Sequence, residues 1–195
     1  NDRGRLGISV RPVDEPDAAW QRVAAADLGA WSRSDETNLD CRENTLALIR
    51  DRCASEVAPE WPKTVLARAG AAFPRRVDGL GTIRLGKREL LAQIAIPSAC
   101  QNDVGHYSLH PVLLETGIAL AGCILEPRGG GPFAYGLKRL TAFARCEESA
   151  LCHARLEADG RGIELTFYTE SGECLARLEG LATRWGAHGR RISPE

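Results

Sequence analysis

Hydrophobic residues recur along this chain with two different periods, and the change of period divides it into segments. Near the N-terminus Leu6, Ile8 and Val10 alternate with Gly7, Ser9 and Arg11, a period of two that predicts a short strand. Pro12 and Pro16 bracket an acidic turn, and Trp20 to Ala26 reads as a second strand. Gly29 to Asn38 is polar and turn-rich, the composition of a linker. The period then lengthens. Leu46, Ile49 and Cys53 recur at helical spacing behind Asp40, placed to cap, and Glu43 three residues later. A second short helix is expected over Thr64 to Ala72, with Pro62 at its first turn.

From Gly79 the period of two returns. Ile83 and Leu85 alternate with Thr82 and Arg84, Gly86-Lys87-Arg88 turns the chain, and Leu90, Ala92, Ile94 and Ile96 share one face. Pro111 to Leu125 interrupts this as a helix that is apolar almost all round. Five strand patterns follow: Tyr135 to Phe143; Cys152, Ala154 and Leu156; Ile163, Leu165 and Phe167; Cys174, Ala176 and Leu178; and Leu181, Thr183 and Trp185. Asp159-Gly160 and Ser171-Gly172 separate them at hairpin-like intervals.

An apolar helix needs cover over most of its surface, and a long antiparallel sheet curled around it supplies that cover. The sheet's outer face then stays polar, which explains the alternation. The order of elements therefore predicts an α+β chain with the hotdog fold, a curled antiparallel sheet around a central helix. The expected organisation is a strand pair and linker over 1–38, a helical connection over 39–78, a hotdog domain over 79–186 and a linker tail over 187–195.

Composition narrows the function more than it defines it. Lys plus Arg number 25 against 26 Asp plus Glu, so no basic field points to nucleic acid. The pairs Arg75-Arg76 and Arg190-Arg191 read as solvated surface. Val112 to Leu125, the longest apolar stretch, falls short of the ~20 residues needed to span a bilayer. The seven cysteines form no CxxC and resemble neither a zinc site nor a disulfide framework, so no metal or cofactor is expected. Reduced thiols in a cytoplasmic protein are the expectation.

Candidate chemistry concentrates in Leu109-His110-Pro111-Val112-Leu113-Leu114-Glu115. Pro111 can open the helix, which puts Glu115 one turn inside it beside Val112, Ile118 and Ala119. A carboxyl among such neighbours is desolvated and becomes a candidate proton donor. The same residue also reads as an acid that snorkels at the sheet edge, and the pattern leaves both open. His110 falls at the helix start, where a cap is the simpler role. His106 lies in the preceding loop, His153 on the polar phase of its strand and His188 in the tail. Tyr107 and Cys123 are placed to face a tunnel, but nothing in their spacing pairs a nucleophile with a base.

His110-Pro-Val-Leu-Leu-Glu115 resembles the HPxLLD motif of dehydratase domains in modular polyketide synthases. Gly79-Leu80 to Arg84 with Glu89 to Pro97 resembles that family's strand pair ending in "ALP", Gly131 to Tyr135 its "LPFSW" strand, and Gly172 to Leu181 its closing hairpin. Ser9 to Pro12 and Trp20 to Ala24 resemble the last strands of the family's first hotdog, which implies that 1–38 is a remnant of a first hotdog and linker, and the chain a double hotdog with a truncated first half. The resemblance implies a double hotdog in which the helical acid, here Glu115, works with a histidine on a 3-hydroxyacyl thioester. It implies two partners, an acyl carrier protein with a phosphopantetheine-bound chain and an adjacent ketosynthase.

The departures are specific. The family acid is Asp, where this chain has Glu115; Ala119 stands where the family has Gln or His; and Phe73-Pro74-Arg75-Arg76-Val77 lacks the tyrosine of YGPxF. No histidine here lies in the HxxxGxxxxP pattern that supplies the family's catalytic imidazole. Dehydration needs a base for the C2 proton and an acid for the hydroxyl. By analogy with similar domains of that family, the resemblance and its departures imply a degenerate dehydratase-like domain that holds an acyl chain beside a ketosynthase, as in chain branching. The alternatives are a dehydratase, isomerase or cyclase whose histidine comes from elsewhere, with Glu115 and His110 as candidate catalytic residues, and a free-standing hotdog thioesterase.

Overall fold

The alternating N-terminal stretches become β1 (Gly4–Val10) and β2 (Gln21–Leu28), an antiparallel pair, in the computed structural model of the chain. Residues 4–10, 19, 21–29, 46–73, 79–125, 132–160 and 162–185 are described here. The expected cap at Asp40 and Glu43, the linker beyond Gly29, Trp20, Arg75-Arg76, His188 and the tail lie outside them. The chain divides into two units, Asn1–Cys41, which holds β1 and β2, and Arg42–Glu195.

The second unit begins with α1 (Leu46–Arg52), β3 (Ser55–Val57) and α2 (Trp61–Arg68). Pro62 falls in the first turn of α2, where its missing N–H costs nothing. Then come β4 (Leu80–Gly86), β5 (Glu89–Ala95), a 3-10 segment (Ser98–His106) and α3 (Pro111–Cys123). Five strands complete it: β6 (Pro132–Gly136), β7 (Arg139–Ala142), β8 (Ser149–Leu156), β9 (Ile163–Tyr168) and β10 (Cys174–Trp185).

The strands form one antiparallel sheet in the order β3-β4-β5-β8-β9-β10-β6, with β7 also paired to β10. Two expectations are corrected here. Tyr135 to Phe143 is two strands, broken at Leu137-Lys138, while the last two strand patterns are one. β10 stays continuous because Gly180 takes a φ of +62°, a left-handed conformation open to glycine, at an irregularity in the pairing with β9. The bend lets one strand pair with β7 through residues 176–179 and with β6 through 182–185.

Inward residues of the sheet build the main core. Ile83, Leu90, Ile94, Cys152, Leu165 and Phe167 are fully buried against Leu113, Leu120 and Ala121 of α3. This is the hotdog arrangement, a helix seated in a curled antiparallel sheet. The cover is incomplete, however. The sheet takes one side of α3 and α2 another, through Leu66, Phe73 and Cys123. Glu115 is exposed.

The outer face is not uniformly polar. Helix α1 lies on it, and Leu46, Ile49 and Cys53 are buried with Leu91, Leu151 and Tyr168. Those three sheet residues alternate with inward-facing neighbours, so one strand supplies two cores.

Close approach of α3 to the sheet depends on Gly117. A Cβ there would lie 2.6 Å from Phe167 Cζ and 3.3 Å from Cys152 Sγ. Gly117→Ala is expected to destabilise the domain by about 1–2 kcal/mol, because overpacking costs of ~1–3 kcal/mol outweigh the ~1 kcal/mol gained in helix propensity. Denaturant unfolding of the two proteins checks this.

Candidate functional site

The start of α3 is built by side chains that precede it. His110 has an extended backbone (φ −66°, ψ 137°) and is the N-cap. Its Nδ1 accepts from the Val112 N–H at 3.1 Å, and its carbonyl accepts from Leu114 at 3.1 Å. On the other side of the ring, Nε2 lies 3.1 Å from Asp103 Oδ1 in the 3-10 segment. The Tyr107 ring meets it edge-on, with centroids 5.1 Å apart at 81°. The imidazole is only 4% exposed.

Glu115 follows one turn later. It is exposed, not desolvated as its sequence neighbours suggested, and it has no hydrogen bond or ion pair with the described residues. Val112 is buried as expected, but Leu114, Ile118 and Ala119 are half-buried, so the acid sits on a partly open apolar surface. Helical neighbours desolvate a carboxyl only if a second layer covers them.

The other candidates are scattered. His106 and Tyr107 are exposed, and Cys123 is buried with its thiol 3.8 Å from the Pro62 carbonyl and 3.5 Å from that of Ala119. Burial pushes that thiol up to about 12, which keeps it protonated and makes it a poor nucleophile. His153 lies on the outer face, as its strand phase predicts. Its Nε2–H donates to Glu89 Oε2 at 2.8 Å, and Arg52 grips the same carboxylate at 2.9 and 3.1 Å. Nothing in the sequence signalled this cluster, nor the pairing of Asp103 with His110. Among the described residues no group of three His, Cys, Asp or Glu side chains could hold a metal. A groove of about 510 Å³ lined by Arg50, Arg84, Gln93 and Glu170 opens on the α1 side of the sheet, remote from α3.

Residues 42–190 match the family model described as the polyketide synthase dehydratase N-terminal domain. The chain belongs to the polyketide synthase dehydratase family. It is 25% identical to polyketide synthase PksM of Bacillus subtilis (strain 168) over 155 residues, covering 71% of this chain and 4% of PksM. The dehydratase domain from the CurF module of curacin polyketide synthase superposes with a TM-score of 0.75 at 15% identity, covering 93% of this chain and 64% of that one. The bifunctional dehydratase-cyclase domain of ambruticin biosynthesis gives 0.69 at 19% identity, covering 95% and 64%. At such identities the solved structures establish the fold alone. The family model names an N-terminal domain, whereas the His110–Glu115 motif resembles one in the family's second hotdog.

The site yields two expectations. Glu115→Gln removes an exposed charge that has no partner among the described residues, and is expected to change stability by less than ~0.5 kcal/mol, readable from a melting curve. Titration of the outer cluster runs the other way. Burial holds His153 below its ordinary 6.5, against the pull of Glu89. Burial pushes Glu89 up, but the hydrogen bonds from Arg52 and His153 outweigh it and hold it below 4.5. The unfolded chain therefore binds the extra proton first on acidification, so stability falls below pH ~6.5 through His153 and falls again below ~4.5 through Glu89. Melting temperatures between pH 5 and 7 are expected to slope upward in the wild type and less in His153→Gln.

Proposed function

We propose that this domain is an atypical dehydratase-like element of a polyketide synthase that holds a carrier-protein-bound acyl chain beside Glu115 and supports a neighbouring ketosynthase, as in chain branching. The observation that carries this reading is the engagement of both His110 nitrogens, one by the Val112 N–H and the other by Asp103. An imidazole used in this way takes no proton from a substrate. Among the other described histidines, His153 is tied to Glu89 on the outer face, and no hydrogen bond joins the exposed His106 to Glu115.

Elimination of water moves two protons, one off C2 and one onto the departing hydroxyl. Glu115 alone supplies one of the two groups. For the CurK dehydratase, an inactive variant with a histidine replaced and another with an aspartate replaced are known, which supports a two-group requirement in a protein of this fold. The half-buried Leu114 and Ile118 beside Glu115 offer apolar surface to an acyl chain. The partners on this reading are the acyl carrier protein, through its phosphopantetheine arm, and the adjacent ketosynthase, in the cytoplasm. No helix among the described residues is long and apolar enough to cross a membrane.

A second reading is favoured by the exposure of Glu115 without any partner among the described residues. A histidine contributed from elsewhere would complete an active dehydratase, isomerase or cyclase. One experiment separates the two: a 3-hydroxyacyl carrier-protein thioester is incubated with wild type and with Glu115→Gln, and the thioester is weighed by mass spectrometry. The expected result is binding of the loaded carrier with water loss at background, since a missing general base removes ~10²–10⁴-fold of rate. Turnover by the wild type that Glu115→Gln abolishes would overturn the holding role.

A further inference from the structure

We infer that Asp103 is a positioning residue for Glu115, acting through the imidazole of His110. The inference rests on the reading of Glu115 as the acid that meets the acyl chain. A backbone N–H can only donate, so the Val112 N–H, 3.1 Å away, obliges His110 Nδ1 to present its lone pair. The proton of the neutral ring then sits on Nε2, which is aimed at Asp103 Oδ1 at 3.1 Å. A carboxylate only accepts, so both contacts match and the ring is held in a single tautomer.

Removal of Asp103, whose own side chain is 47% exposed, takes the protein acceptor away from Nε2–H in a ring that is 4% exposed. Moving the proton to Nδ1 would answer that, but it would set N–H against N–H at Val112 and abolish the cap. The Tyr107 ring, edge-on to the imidazole, opposes a swing of the ring as a third option. Asp103 therefore selects the one protonation pattern in which His110 can cap. The cap fixes where α3 begins, and the start of a helix fixes the direction in which each later residue points. Glu115, one turn on, is the polar residue whose direction this decides. The motif histidine thus acts on the acid from inside the protein, and the partner it needs lies seven residues upstream in the 3-10 segment.

Imidazole nitrogen–proton correlation spectra of the full chain read the tautomer without any substitution, and the expected pattern has the His110 proton on Nε2. Asp103→Leu is expected to mix the tautomers, speed Val112 amide exchange roughly fivefold, the equivalent of a lost N-cap, and move the Glu115 side-chain ¹³C chemical shifts at fixed pH. His110→Asn caps through its own side chain and needs no Asp103. Added to Asp103→Leu, it is expected to restore Val112 protection and the Glu115 chemical shifts, whereas His110→Ala is not. A wild-type ring protonated on Nδ1 would sink the inference. So would Asp103→Leu that leaves Val112 and Glu115 unmoved, or His110→Asn that restores neither. None of these readouts uses an acyl ligand, so they can fail while the holding role stands, and the reverse.

Discussion

Everything in the larger unit is organised around the approach of α3 to the sheet at Gly117, where Phe167 and Cys152 occupy the space a side chain would take. A helix this apolar cannot remain in water, and a sheet can cover it only by coming close. Absence of a Cβ at one position permits that distance. The bend in β10 at Gly180 complements it by letting the far end of the sheet turn toward β6.

The cover is asymmetric, and the asymmetry produces the site. The sheet and α2 bury two sides of α3, while the sector that carries Glu115 stays open between half-buried Leu114 and Ile118. On the opposite face of the sheet, α1 is fastened by apolar contacts and by the grip of Arg52 and His153 on Glu89. A buried carboxylate needs such partners, since its desolvation is offset only by hydrogen bonds from both. Two clusters of titratable groups thus lie on opposite faces: one holds a helix in place, and the other starts a helix.

The division of labour around α3 follows from what each group can donate or accept. His110 is engaged at both nitrogens by a backbone donor and a carboxylate acceptor. Glu115 carries no such obligation to the described residues. Within one six-residue motif, the imidazole serves the fold and the carboxylate stays exposed.

Local pattern, read from the sequence alone, determined the strands from Ile83 to Ile96 and from Cys152 to Phe167, the helix opened by Pro111 and the outward phase of His153. Period and proline placement are properties of neighbours in the chain, and burial of alternate residues enforces them. The resemblance of His110 to Glu115 to a family motif was legible for the same reason. Tertiary structure alone decided what depends on residues distant in sequence. Leu137-Lys138 splits one expected strand because β10 bends at Gly180 and takes two partners. Arg52 and His153 meet Glu89 across 37 and 64 residues. Asp103 finds His110 because the 3-10 segment folds back on the helix start, and Glu115 is exposed because the cover over α3 stops short of it. Solvation of a side chain is set by whatever packs over its neighbours, and no local pattern records that.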